Sequence, residues 1–236
     1  MEKYPSVIGG SPSDLNVPLI VKNKYISADY GIIVFEKPRG FIFEPGNWMD
    51  IRFLSANLAI GKTYSITSSP TEPDIMIAFK KGMSNFKNEL EKTQIGDTMF
   101  ITQYGSNGFL LNKKYQSLFI AGGIGITPFR SMIKEVIDTK STVSINLIYL
   151  NHTEIFPFKE DLNNWLQQYP YLQIHYIVTE KEGHITKERI KTLVPTITDF
   201  MNYVAGPPGM VTNTKSMLLA LGVSKEDIKT DSFDGY

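Results

Sequence analysis

Cysteine is absent from the sequence, which excludes disulfides, thiolate zinc sites and any iron–sulfur cluster held by these residues. Histidine is scarce: His152, His175 and His184 lie far apart without ligand spacing, so packing or surface roles are expected and no metal site. Net charge is missing as well, because 24 Lys and Arg balance 24 Asp and Glu. The lack of a basic excess argues against a general nucleic-acid binder, though it leaves room for local basic patches. The longest apolar stretch is about 12 residues and is broken by glycines, too short to span a membrane. Met1-Glu2-Lys3-Tyr4-Pro5 leads into no apolar run, so no secretory signal is expected and the cytoplasm is the default location. What is present is ordinary globular material. At 42% hydrophobic and 20% charged over 236 residues, the length suits two domains of roughly 100–130 residues.

The stretch from Leu118 to Phe129 organises the rest. Leu118–Ala121 is too short and too unbroken for an amphipathic helix and reads as a strand buried on both faces. Gly122, Gly123 and Gly125 then interrupt it. Thr127 suits an N-cap and Pro128 the first helical position, while Phe129, Met132, Ile133, Val136 and Ile137 form a helical stripe. A strand, a turn without side chains and a helix N-terminus make an anion site, for which a dinucleotide pyrophosphate is the natural occupant. The alternative is a tight turn with no ligand. The usual dinucleotide fingerprint is incomplete, since Pro128 replaces the third glycine and no acid follows the next strand at Leu150-Asn151-His152.

Residues 1–16, with Gly9-Gly10-Ser11-Pro12-Ser13, read as a loosely ordered lead-in. Six strands are expected between 17 and 112, at Pro18–Ser27, Tyr30–Lys37, Trp48–Phe53, Thr63–Thr67, Asp74–Lys80 and Asp97–Gln103. That rhythm suggests a closed or nearly closed antiparallel barrel. One helix interrupts it after Gly82, capped by Ser84 or Asn85 and burying Phe86 and Leu90. Lys62–Pro70 gathers a cation, an aromatic ring and five Ser or Thr hydroxyls, a set able to stack on and hydrogen-bond a planar phosphorylated ligand; an ordinary polar strand is the alternative. Lys80-Lys81-Gly82-Met83-Ser84 repeats the anion-site logic, with a plain capped helix as its alternative.

From 113 to 236 buried strands alternate with amphipathic helices. Strands are expected at Leu118–Ala121, Ser144–Leu150, Leu172–Thr179, Asn202–Ala205 and Ile228–Asp231, and helices near Pro128–Asp138, Phe158–Gln168, Thr186–Val194 and Pro208–Leu221. The second of these helices is expected to bury Phe158, Leu162, Trp165 and Leu166. Such alternation implies a parallel sheet whose ligand lies beyond the strand C-termini. A second glycine-rich turn there, Gly206-Pro207-Pro208-Gly209, favours a nucleotide site over an empty turn.

These residues resemble the ferredoxin–NADP reductase superfamily over nearly all of 17–236. Lys62-Thr63-Tyr64-Ser65 is similar to its basic-x-Tyr-Ser pattern, Gly82-Met83-Ser84 to its phosphate-binding turn, and Gly96-Asp97 and Gly108-Phe109 to further family segments. Gly122–Pro128 and Gly206–Met210 match its nucleotide turns. The resemblance implies an antiparallel Greek-key β-barrel binding FAD, followed by an α/β parallel-sheet domain binding NADH or NADPH, with hydride passing to the flavin in the cleft between them. It implies that Tyr64 stacks on the flavin, that Ser65 bonds near its reactive nitrogen, and that Lys62 with Gly82, Met83 and Ser84 holds the FAD phosphates. Gly122, Gly123, Gly125 and Thr127 would meet the NAD(P)H pyrophosphate. Gly206, Pro207, Pro208, Gly209 and Met210 would shape the nicotinamide pocket. Asp231, Phe233 and Tyr236 resemble the family's C-terminal segment and would close over the flavin, Asp231 joining Tyr64 and Ser65 as a catalytic candidate. Three departures stand out: Lys62 where Arg is usual, Ala205 where some members carry Cys, and Asn47 where Gln is frequent.

The implied activity is transfer of reducing equivalents from NAD(P)H through FAD to a separate electron carrier, ferredoxin or flavodoxin. Alternatives are an oxygenase reductase component, a free flavin or quinone reductase, and a non-catalytic flavin-binding subunit.

Overall fold

Alternating burial sets the first sheet. The structure is a computed structural model that describes residues 16–54 and 61–233. The expected lead-in, apart from its last residue, and Tyr236 lie outside the described residues. The chain divides into two compact units, 1–110 and 111–236. In the first unit six strands, β1 (Val17–Ile26), β2 (Tyr30–Glu36), β3 (Trp48–Arg52), β4 (Lys62–Ser65), β5 (Asp74–Lys80) and β6 (Thr98–Gly105), form one sheet in the order β4-β3-β6-β1-β2-β5. Every pairing is antiparallel.

β1 serves two partners. Its first half pairs with β6 and its second half with β2, and an irregularity between Val21 and Asn23 bends the strand from one to the other. Bulges supply the twist that a curling sheet needs. The two outer strands meet where the chain leaves β4: Thr67 N–H donates to Met76 O at 2.8 Å, and Met76 N–H donates to Ser68 Oγ at 2.9 Å. The result is a nearly closed barrel. Its interior is filled by the inward residues of each strand, Leu19, Ile33, Phe35, Met49, Ile51, Ile77 and Ile101 among them. α1 (Asn85–Lys92) packs Phe86 and Leu90 inward, and Ser84 Oγ accepts from Lys87 N–H as its N-cap.

The second unit is a five-stranded parallel sheet in the order β11-β10-β7-β8-β9, built from β7 (Gln116–Gly122), β8 (Ile145–Asn151), β9 (Leu172–Val178), β10 (Phe200–Gly206) and β11 (Ile228–Ser232). α2 (Ile126–Asp138), α3 (Lys159–Gln168), α4 (Thr179–Glu182), α5 (Lys187–Leu193) and α6 (Pro208–Ala220) connect them. β7 is covered on both faces, which accounts for its unbroken apolar run. Phe119 stacks on Phe129 of α2 at 4.6 Å, whereas Leu118 and Ile120 join Ile190, Val211 and Leu218 on the opposite side.

Three local expectations are corrected. α2 begins at Ile126, after a 3-10 turn over Gly123–Gly125, and Thr127 Oγ1 donates back to Ile124 O at 3.0 Å. Thr127 is therefore not the N-cap. Pro128 still falls in the first turn, where a missing N–H has no intrahelical acceptor to leave unsatisfied. Leu166 is 39% exposed, so the buried side of α3 is carried by Leu162 and Trp165. Its inner neighbour is a buried cation: Arg130, 4% exposed, lies 5.2 Å from the Phe158 and Trp165 rings and bonds Asp161 through Nε and Nη2. β9 ends at Val178, and the short α4 takes up Thr179, the last residue expected in that strand. Among the described residues, no helix is long and apolar enough to cross a membrane.

Candidate functional site

The hydroxyl-rich strand separates into two groups. Thr63 Oγ1 donates to Asp50 across the ladder, Thr67 Oγ1 is 3.4 Å from Ser65 O, Ser68 Oγ accepts from Met76, and Ser69 Oγ pairs with Thr71. Those four tie the strand into the barrel. Ser65 is half-buried, and its hydroxyl has no partner among the described residues. Lys62 is exposed and likewise without an ion-pair partner there. Tyr64 is 4% exposed and its ring stacks on Phe86 at 6.2 Å, so that β4 is tied to the start of α1. A flavin resting directly on Tyr64 requires this side chain to turn outward. Asn47, the residue standing where Gln is frequent, uses Oδ1 to accept from Glu44 N–H at 2.8 Å and is bound into its own turn.

At the start of α1, Gly82, Met83 and Ser84 are all exposed, Met83 at 97%. Lys87 stands on a lysine-rich stretch with Lys80 and Lys81, a composition that suits a solvated face. It is instead 8% exposed, with its ammonium 3.6 Å from the point where a Cβ on Gly82 would stand. Burial and the neighbouring charge of Lys80 hold the Lys87 ammonium below the usual lysine range. Two cations and the positive end of a helix dipole therefore crowd one place, an arrangement that an anion relieves. Lys81 contributes little to it, being paired with Glu91 at 3.0 Å. The legible signal was position: Lys87 lies between Phe86 and Leu90 on the inward side of a short helix.

In the second unit the winding reverses between β7 and β10, and both glycine turns open at that point. Their glycines differ in purpose. A Cβ on Gly125 would stand 2.3 Å from Ala205 O, and one on Gly122 would stand 2.6 Å from Met210 Sδ. These two are empty because the turns pack on each other. A Cβ on Gly209 would meet nothing within 4 Å, and Gly123, at φ +54°, would meet only Asn151 Oδ1 at 3.6 Å. Those positions face open space at a helix N-terminus. Pro207, Pro208 and Gly209 are exposed, with Pro208 in the first turn of α6, while Met210 fills the gap between Gly122 and Gly206. Thr127 is buried under the first turn with its proton directed to Ile124.

β11 brings the C-terminal residues to the same end. Asp231 pairs in register with Ala205, and Phe233 N–H donates to Gly206 O at 3.0 Å. Burial pushes the Asp231 carboxyl up to about 6. Beyond β8 and β9, the Glu180 N–H bonds His152 O at 3.2 Å, Lys181 pairs with Glu154, and Arg189 pairs with Glu182 at 2.6 Å.

Residues 119–216 match the oxidoreductase NAD-binding domain family. Over 211 residues the chain is 27% identical to flavohemoprotein B of Dictyostelium discoideum, covering 80% of this chain and 49% of that protein. It is 28% identical over 155 residues to NADH-cytochrome b5 reductase 1 of Scheffersomyces stipitis, covering 60% and 54%. Among solved structures, a ferredoxin-NADP+ reductase from Neisseria gonorrhoeae with bound FAD and NADP superposes with a TM-score of 0.79 at 17% identity, covering 92% of this chain and 98% of that one. The chain spans about half the length of the curated relatives it matches. The family match is confined to residues 119–216, and the two-unit fold as a whole is that of the ferredoxin-NADP+ reductase structures.

Proposed function

We propose that the protein is an NAD(P)H-dependent flavoprotein reductase that binds FAD on the barrel and NADH or NADPH on the parallel sheet, and hands electrons to a separate carrier such as ferredoxin or flavodoxin. The observation that carries the reading is the pair of anion-suited helix starts, one in each unit: Lys80 and Lys87 at α1, and the open glycines 123 and 209 at the topological switch. When bound, FAD accepts a hydride and releases electrons singly. The chain's own part is orientation and charge. Ser65 offers its unengaged hydroxyl to a flavin ring heteroatom, Lys62 and Lys87 balance phosphate charge together with the N–H groups at Gly82–Ser84, and Tyr64 forms the wall behind them. In the second unit the open turns take the pyrophosphate, Gly206–Met210 borders the nicotinamide, and Asp231 exchanges a proton at its carboxyl near neutral pH, with Phe233 beside it.

Equilibrium dialysis tests the two sites separately. One equivalent each of FAD and of a nicotinamide dinucleotide is expected to bind; retention of neither removes the reading. Lys87→Met is expected to weaken FAD about tenfold, because a charged hydrogen-bonding partner of the phosphates is removed. Unchanged FAD affinity in that variant would remove Lys87 from the site.

The ion pairs beyond β8 and β9 favour NADH. The second strand's end is where a dinucleotide's ribose is read, and a 2′-phosphate there meets Glu154 beside Lys181 and Glu182 beside Arg189. NADH is expected to give the higher kcat/KM, and Glu154→Gln is expected to lower the KM for NADPH while leaving that for NADH unchanged. Equal values for both cofactors in the parent protein would contradict the assignment.

A further inference from the structure

We propose that Tyr149 is a positioning residue for the nicotinamide dinucleotide, acting through the peptide of Gly123; the inference rests on the nucleotide reading of the second unit. Gly123 lies at φ +54°, and a Cβ there would meet only Asn151 Oδ1, at 3.6 Å, so contact there does little to hold the peptide in place. The restraint comes from its carbonyl. Ile126 N–H donates to Gly123 O within the turn, and the Tyr149 hydroxyl donates to the same oxygen at 3.1 Å.

The phenol is itself fixed. Tyr149 is fully buried on β8, one strand from Ala121, with its ring edge-on to Phe156 at 4.9 Å and tilted against Tyr176 at 6.1 Å. Its oxygen also lies 3.4 Å from Pro157 O, the weaker acceptor for its single proton. A buried hydroxyl keeps such a partner because losing it is costly. In a planar trans peptide the C=O and N–H point in opposite directions. Pinning Gly123 O toward Tyr149 therefore directs the Ile124 N–H away from it and sets the array of N–H groups that the turn presents to a phosphate.

The test compares ADP-ribose binding by calorimetry to the FAD-loaded parent protein, Tyr149→Phe and Tyr176→Phe. The second variant removes a hydroxyl from the same aromatic group, one that donates to Asn163 at 3.0 Å and not to the turn. Tyr149→Phe is expected to weaken binding roughly fivefold, the effect of one neutral hydrogen bond, with FAD content unchanged and the protein still fully folded at the assay temperature, and to raise the KM for NADH by a similar factor at constant kcat. Tyr176→Phe is expected to match the parent. Equal affinity in Tyr149→Phe and the parent overturns the inference and leaves the nucleotide reading standing. So does a loss shared by Tyr176→Phe, or one accompanied by partial unfolding at the assay temperature. A parent protein that binds no ADP-ribose overturns both.

Discussion

Gly125→Ala is expected to abolish nicotinamide-nucleotide binding and to destabilise the parallel-sheet unit by about 3 kcal/mol, the upper range for overpacking a filled site. The added carbon would stand 2.3 Å from Ala205 O, 2.6 Å from Ala205 C and 2.7 Å from Gly206 Cα. All three are backbone atoms at the end of β10, so no rotamer change relieves the contact. The β7 turn has to move away from β10, and both glycine turns lose their shape together. Gly209→Ala is the matched control. Its Cβ meets nothing within 4 Å, so stability is expected to stay within about 0.5 kcal/mol of the parent, as for surface substitutions away from special features, while the KM for the nucleotide rises because the carbon enters space reserved for ligand. Chemical denaturation monitored at the second unit, alongside nucleotide titration, separates the two. A stable Gly125→Ala protein that binds nucleotide normally would show that the turns do not depend on each other.

Asp231→Asn is expected to trade activity for stability. The carboxyl titrates near 6 in the folded chain against an ordinary value of 3.8, because burial disfavours its charged form. Between those two values the folded state holds a proton that the unfolded state has released, so stability falls as pH rises from about 4 to 6, and the full cost is present above 6. With a partly exposed side chain the cost is about 2 kcal/mol. The asparagine variant should therefore be more stable than the parent at pH 7.5 by that amount and no more stable near pH 3.5. If Asp231 exchanges the proton as proposed, kcat falls about a hundredfold, and the ionisation near 6 disappears from the pH profile. A variant with full kcat and an unaltered profile would leave Asp231 as a strained structural carboxylate only.

Much of the architecture was legible in the residues because burial leaves a period. The β1 alternation Val17, Leu19, Val21, the unbroken Leu118–Ala121 and the Phe129–Val136 stripe each identify an element and its inward side. The helix start at Ser84 was legible for a chemical reason, its hydroxyl being able to accept the N–H of Lys87. The four-residue α4 carries too short a pattern to be seen. Glycine spacing located both turns but could not tell Gly125, empty for the sake of Ala205, from Gly209, empty toward open space; that distinction depends on a strand about 80 residues further along the chain (Gly125 to Ala205). The same holds for Arg130, Tyr149 and Lys87. Their types are common on surfaces or in cores, and only their neighbours, the Phe158 and Trp165 rings, Gly123 O and Gly82, set them apart. Among the five hydroxyls of the Lys62–Pro70 segment, position alone could not separate Ser65 from the four that bind the barrel together.

Rapid anaerobic mixing of the FAD-loaded protein with equimolar NADH, followed by flavin absorbance, tests the central claim most directly. The account predicts that the yellow colour bleaches at a rate at least equal to turnover and returns when a one-electron acceptor is added. A protein that takes up no FAD, or one whose bound flavin neither NADH nor NADPH reduces, would contradict it.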